Sequence, residues 1–496
     1  MKFRYIKIFH VPRSTFHDQR GQLSLQMIFF AAIVVILVTG FSFAALSFLK
    51  LSVRSFNRAA AFTIAEGGLE YYRWHLAHAS TDYFDGQGAT STGPYVHDYF
   101  DKDGNKIGTF SLEINPPLPG STIVTITSTG KVLADDSIEK VIRVKMGISS
   151  FAKFAVAAND TMRFGAGTEV FGEIMSNGRV RFDGLAHNYV RSALSTSTDT
   201  DGDACQANVW AVHTCVDPDD PSPPTPLPAH PTVFEIGREV GVPALNFTGI
   251  TQDLLSLKTQ ASSSGVYFPS STNPGYELVF STNDRYTVYR VNSLVNPPTA
   301  GCTNYLGQSG WGTWSVNSRT MISSGTIPAN GIFFFEDDLW VRGQIDGQRV
   351  TVASGLFPDN PTTRTNISVT DNILYSNYDG TDVLALIAQN NINIGMVAST
   401  TIRIDAAVMA QNGRVGRYYY RPPGGGSQRC SPYHTRNSIT SFGMIGTNQR
   451  YGFAYTDGNG YQIRNLVYDA NLLYGPPPGF PLTSDSYQVV SWEEVR

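Results

Sequence analysis

The chain has 496 residues, 42% apolar and only 16% charged, with a formal net charge of −4. A chain this long usually forms more than one compact unit, and its low, balanced charge gives no electrostatic footprint for nucleic acid. With 46 Gly, 27 Pro, 29 Phe and 24 Tyr, and with Thr, Val and Ile runs between Gly, Asn and Asp turns, most of it reads as β-rich.

The amino end departs from that composition. From Met27 to Leu49 no residue carries a charge, and about 20 apolar residues in a helix cross a bilayer core of roughly 30 Å. Ahead of this run stand Lys2, Arg4, Lys7, Arg13 and Arg20 against Asp18. That bias keeps the leader, residues 1–21, in the cytoplasm and sends the remainder across. A cleaved secretory signal would have a shorter apolar run and a small-residue cut site after it, so the segment is expected to stay with the mature protein. Beyond the span, Phe62, Ala65, Leu69, Tyr72 and Leu76 recur at steps of three and four, one face of a helix continuing to residue 79. Gly67 and Gly68 would each cost about 1 kcal/mol inside that helix. Close backbone contact with a following sheet is the expected offset.

The residues Arg20-Gly21-Gln22-Leu23-Ser24-Leu25-Gln26, a basic leader ending in Gly before an apolar helix, resemble the processing site of type IV pilins and type II secretion pseudopilins. The resemblance implies cleavage by a membrane prepilin peptidase between Gly21 and Gln22, with methylation of the new amino terminus. It also implies a subunit-registration role at Gln26, where most members carry Glu. Gln26 can hydrogen-bond but brings no charge. The segment from Ala61 to Trp74, with Ala65-Glu66, Gly68, Glu70 and Arg73, is similar to the end of the first helix in large minor pilins of the PilX type. Together these matches cover residues 20 to 78. They imply a small antiparallel sheet lying on the helix, in a pilin-like β module over residues 80–149.

Alternating runs such as Thr109–Ile114 and Thr122–Thr127 read as antiparallel strands, with turns at Asp103-Gly104, Pro119-Gly120 and Thr129-Gly130. Asp101, Asp103 and Asn105 lack the acid a calcium loop needs at its twelfth position, where Leu112 stands, so a hairpin turn is expected. From about residue 150 short strands end at Asn-rich corners. The Ala-Gln-Asn units at Ala388 and Ala410 lie 22 residues apart, a step that fits one coil of a parallel β-solenoid with Asn stacked at its corners. Ile445-Gly-Thr-Asn448 reads as the start of a further coil, and a β-sandwich is the alternative. The solenoid is assigned to residues 150–450, with a polar, Pro-rich excursion at 195–231 and one short helix from Asp253 to Ala261. Asp199, Asp201 and Asp203 fail the EF-hand pattern at Ala204 and Trp210 and read as a solvated acidic turn. Residues 451–496, interrupted by prolines, are expected to cap the open solenoid edge with Trp492 buried in the cap.

Cys205, Cys215, Cys302 and Cys430 all follow the span, where an oxidising compartment permits three pairings. Cys205 with Cys215 and Cys302 with Cys430 is the favoured set, and unpaired thiols remain the alternative. No spacing supports a metal site, and no cofactor is expected. Glu336, Asp337, Asp338 and Asp346 are the acids that a β-helix carbohydrate enzyme would have to use, and a solvated or corner role is the stronger reading. No nucleophile, zinc or nucleotide motif is present.

The fold expected is one long amino-terminal helix with a small antiparallel sheet, then a parallel β-helix. The function expected is that of a non-enzymatic minor or tip subunit of a type IV pilus or pseudopilus. Its partners would be other pilins, the assembly machinery, the prepilin peptidase, the inner membrane and a surface glycan or host-cell ligand. It would be single-pass in the membrane and later at the cell surface. A membrane-anchored carbohydrate-active enzyme and a static envelope scaffold are the rival readings.

Overall fold

A computed structural model describes residues 20–88, 91–117, 121–247, 250–312, 314–482 and 486–495, with backbone alone at 20–22 and 250–253. Residues 1–19 of the expected leader and the expected Pro119-Gly120 turn lie outside the described residues. Helix α1, Arg20–His78, runs unbroken for 59 residues, about 88 Å at 1.5 Å per residue. It has two halves of different chemistry. From Leu23 to Phe56 every side chain is exposed, while Ala61, Ile64, Ala65, Leu69, Tyr72 and Leu76 are buried.

That buried stripe lies on an antiparallel sheet of β1 (Tyr95–Phe100), β2 (Lys106–Asn115), β3 (Ile123–Val132) and β4 (Asp135–Gly147). Burial alternates along β3, and Val124, Ile126 and Val132 join the helix stripe in one core. The two helix glycines permit the close approach. A Cβ at Gly67 would sit 2.4 Å from the Tyr99 ring, and one at Gly68 would sit 2.5 Å from Ser128 Oγ. Gly130, expected in a turn, instead lies inside β3, where a Cβ would meet the Ala61 carbonyl oxygen at 2.1 Å. Asp101 Oδ1 accepts from the amides of Asp103 and Asn105 at 2.9 and 2.8 Å, closing the β1–β2 hairpin.

The fifth strand of this sheet comes from the other end of the chain. Gln488–Val495 pairs antiparallel with β4 from Gln488↔Gly147 to Val495↔Val141, so the expected cap over residues 451–496 does not form. Those residues divide between two sheets, because the edge of β4 offers a full ladder of hydrogen bonds that a loop cap could not supply. Trp492, expected to be buried, is 48% exposed and meets Phe62 edge-on at 6.0 Å between centroids. Everything between β4 and this closing strand is thus an insertion. Its entry and exit run side by side, through a Ser150↔Leu482 bridge and Phe151 N–H donating to Pro481 O at 3.0 Å.

The insertion is a β-helix-like domain of stacked parallel strands. Ala388 pairs with Ala410, and Ala410 in turn with Thr447, so the 22-residue step is one coil. The stack is not in chain order. Val156–Ala158, the first strand, lies between Ile445–Thr447 and Ile174–Ser176. From there the chain builds outward to Arg238–Val240. It then passes through helix α2 (Ile250–Ser264) to Val266–Phe268 and works back inward through Ile332–Phe335, Arg349–Ser354 and Val383–Ala388. The last long strand, Gly460–Tyr468, closes the seam between Thr435–Thr447 and Thr168–Phe171. Asn side chains stack at the corner that follows Ile445–Thr447, Val156–Ala158 and Ile174–Ser176, with Asn177 Nδ2 donating to Asn159 Oδ1 and Asn159 Nδ2 to Asn448 Oδ1, each at 2.8 Å.

Helix α2 buries Leu254, Leu257 and Ala261 against Ile332, Phe334 and Ala353 on the outer side of one sheet. All four residues of Ile332–Phe335 are therefore buried, because both faces of that strand are covered. An antiparallel pair, Gly275–Ser281 with Arg285–Leu294, and the following strand Val316–Thr326 extend from the stack.

Candidate functional site: a groove at the seam of first and last coils

At the start of α1 the backbone of Gly21 and Gln22 is helical, and Gln26 is exposed one turn on. Cys205 is bonded to Cys215 and Cys302 to Cys430. The first bond closes a loop within the excursion, whose strands Thr196–Thr198 and Asn208–Trp210 form a short hairpin. The second joins two long loops on the outside of the stack.

The acidic turn of the excursion is solvated only at its tip, where Gly202 and Asp203 are exposed; its base is buried, contrary to expectation. Asp199 is fully buried and ion-paired with Arg179, itself 2% exposed, and it lies 3.2 Å from His213 Nε2. Burial opposes ionisation of Asp199, but the Asp201 amide, His213 and Arg179 outweigh it and hold its carboxyl low. Asp201 pairs with Arg450 at 2.8 Å. Asp203 takes both terminal nitrogens of Arg163 at 2.5 Å, and these bonds lower its carboxyl to about 2. Arg163 and Arg179 come from the first coils and are largely buried, so their acids neutralise cations that the stack would otherwise bury unpaired, whereas Arg450 comes from the last coil and is 41% exposed. Burial drives the His213 imidazole down, against the pull of Asp199. Asp199, His213 and Cys215 approach within 4.8 Å of one another. The Cys215 sulfur is spent in its disulfide, and two arginines face the carboxylate, so the group does not fit a cation.

Above this network opens a groove of about 1170 Å³. One wall is the first coil, with Asp160, Arg163 and Thr168. The other is the last coil, with Arg450, Tyr455 and Arg464. At its rim the aromatic side chains run on in a row. Tyr455 meets Tyr419 at 5.1 Å and Tyr419 meets Tyr305 at 6.4 Å between centroids, with the Arg421 guanidinium 4.3 Å over Tyr305.

The row is fixed from behind. Gln308 accepts from the Tyr419 amide and donates to the Tyr455 hydroxyl, both at 2.9 Å, Tyr419 donates to Asp457 at 2.7 Å, and Trp311 Nε1 donates to Tyr419 O at 2.9 Å. Partial burial and Asp457 raise the Tyr419 phenol to about 12. Tyr305 itself is 60% exposed. Sequence reasoning did not find this row, because its members come from three separate segments; the run Tyr418-Tyr419-Tyr420 was the available signal.

The acids weighed for chemistry hold loops. Glu336 pairs with Lys258 and accepts from the Tyr267 hydroxyl at 2.7 Å, while Asp337 accepts from the Ser271 amide and hydroxyl at 2.8 and 2.7 Å. Asp338 accepts from the Asn366 amide at 2.7 Å, and burial raises its carboxyl to about 6. Asp346 accepts from Asn377 Nδ2 at 3.2 Å.

No family model matches the chain, and no curated protein matches its sequence. Among solved structures it aligns with the competence-associated pilin ComZ from Thermus thermophilus at 14% identity, covering 88% of this chain and 97% of that one, with a TM-score of 0.32. An ice-binding protein from the Antarctic ascomycete Antarctomyces psychrotrophicus aligns at 10% identity over 65% of this chain and 98% of its own, with a TM-score of 0.27. At TM-scores this low neither likeness bears on function.

Proposed function

We propose that this chain is a non-enzymatic minor subunit of a type IV pilus or pseudopilus, placed at or near the tip and carrying its β-helix head as a surface-contact domain. The observation that carries the reading is the length of the uncovered apolar sheath on α1. Exposed apolar side chains continue past Leu49 to Leu51, Val53 and Phe56, interleaved with Lys50 and Arg54. From Leu23 to Phe56 the sheath is about 51 Å long, against roughly 30 Å of hydrocarbon in a bilayer. Lipid covers part of it and the sheet covers none of it. Neighbouring helices of a bundle would cover the remainder and, after extraction, all of it.

The head supports a tip or minor position because of its bulk. It is inserted at the end of β4 and occupies most of the chain, which leaves little room for the same head at every step of a thin fibre. Prepilin peptidase would cut after Gly21, the new amino terminus would be methylated, and other pilins with the inner-membrane assembly machinery would be the partners. Gln26, uncharged, would contribute hydrogen bonding and no ion pair to registration. Shearing cells that make the pilus, and probing the released fraction for the head, tests the reading. The head is expected in the sheared fibres, and Gly21→Ala is expected to abolish its release while leaving it in the membrane. Equal release from wild type and variant would contradict it.

A further inference from the structure

The groove and its tyrosine row have the chemistry of a particular ligand class. The cavity exceeds the roughly 300–1,000 Å³ of pockets that enclose a compact small molecule, and it is open along a rim of aromatic rings. Its charges are largely spent internally. Arg163 is taken by Asp203, Arg450 by Asp201, and Arg464 by the carbonyls of Ala166, Tyr461 and Gln462. Arg414 donates to the Arg417 carbonyl and stands 4.8 Å over Tyr418. A polyphosphate backbone needs several uncommitted cations in a row, each giving a salt-dependent gain, and here only Arg414 in the groove and Arg421 at its rim are held mainly by rings and carbonyls. What remains available is aromatic surface beside paired polar groups, Tyr419 and Tyr455 set edge-to-face and Tyr305 exposed with Arg421 over one of its faces, on loops held by the Cys302–Cys430 bond. Sugar rings offer apolar C–H faces to such rings and hydroxyls to such polar groups.

We infer that the seam groove with Tyr455, Tyr419 and Tyr305 binds an extended, neutral or weakly acidic oligosaccharide, the sugar rings stacking along the tyrosine row. This rests on the surface-contact reading of the head. The two fail separately, because binding by the purified chain needs no fibre.

The test uses the full chain in detergent micelles, titrated with cello-, chito- and manno-hexaose and with a hexuronate, and in parallel with a single-stranded DNA oligonucleotide. Saturable binding of at least one hexasaccharide is expected, changing little between about 50 and 200 mM salt. Tyr305→Ala, an exposed change, and Thr456→Trp, which obstructs the groove, are each expected to weaken it about tenfold with the melting temperature unchanged. No saccharide binding would overturn the inference. So would binding indifferent to both variants, or steeply salt-dependent DNA binding that the same two variants abolish.

Discussion

Single residues in this molecule are decided by what closes around them. Arg179 and Asp199 face each other with almost no solvent, and breaking one side of such a pair typically costs about 3–5 kcal/mol. Arg179→Ala is therefore expected to destabilise the head by that order, read as a lower midpoint of chemical unfolding; Asp199→Asn in the same background should recover part of the loss. Gly130→Ala presses a methyl onto the Ala61 carbonyl, and overpacking of this kind costs about 1–3 kcal/mol. Its effect should appear in the helix-on-sheet module and leave the head unchanged. Asp338 gives a pH signature. Its carboxyl, raised to about 6 by burial, keeps a proton in the folded chain that the unfolded chain has lost above about 4. Stability from this group is thus present below about 4 and falls as pH rises towards 6. Asp338→Asn is expected to flatten that part of the unfolding profile, and an unchanged slope would assign it to other groups.

Among the elements, the closing strand Gln488–Val495 matters most for its size. It covers the edge of β4 through an entire ladder, with Arg143 paired to Glu493 at 3.1 Å. A chain ending after Tyr487 is expected to lose thermal stability in the helix-on-sheet module and to associate through the bared edge, as measured by light scattering; a monodisperse, equally stable product would contradict this. The same strand marks the limit of what the sequence discloses. The apolar stripe on α1 and the Ala-Gln-Asn step from Ala388 to Ala410 were legible because their signals are local periodicities. The pairing of β4 with a strand more than three hundred residues away has no periodicity, and Gln488–Val495 alone reads as an ordinary amphipathic end. Nor could the coil order be read, since Val156–Ala158 stacks on Ile445–Thr447 through backbone bonds common to every coil. The acidic turn was misread for a related reason. Its counter-ions, Arg163, Arg179 and Arg450, lie in segments distant in sequence, so only the acids were visible together. The aromatic row was hidden the same way, split among Tyr305, Tyr419 and Tyr455.

As a whole, the molecule joins an apolar stem to a large head through two adjacent chain crossings at residues 150 and 482. Insertion of the head between β4 and its edge partner means that the stalk sheet is completed only after the whole head has been synthesised, and the two ends of the head are held at one point. A stem longer than the bilayer and bare on all sides makes sense if lipid is its first surrounding and sister helices its second. On the proposed reading, the leader is removed on the cytoplasmic side before extraction. Mass spectrometry of the amino-terminal peptide, taken from protein purified out of pilus-producing cells, tests it most directly. A mature chain beginning at Gln22, carrying one added methyl group, is the expected result. A chain that still bears the leader through Gly21 would contradict it.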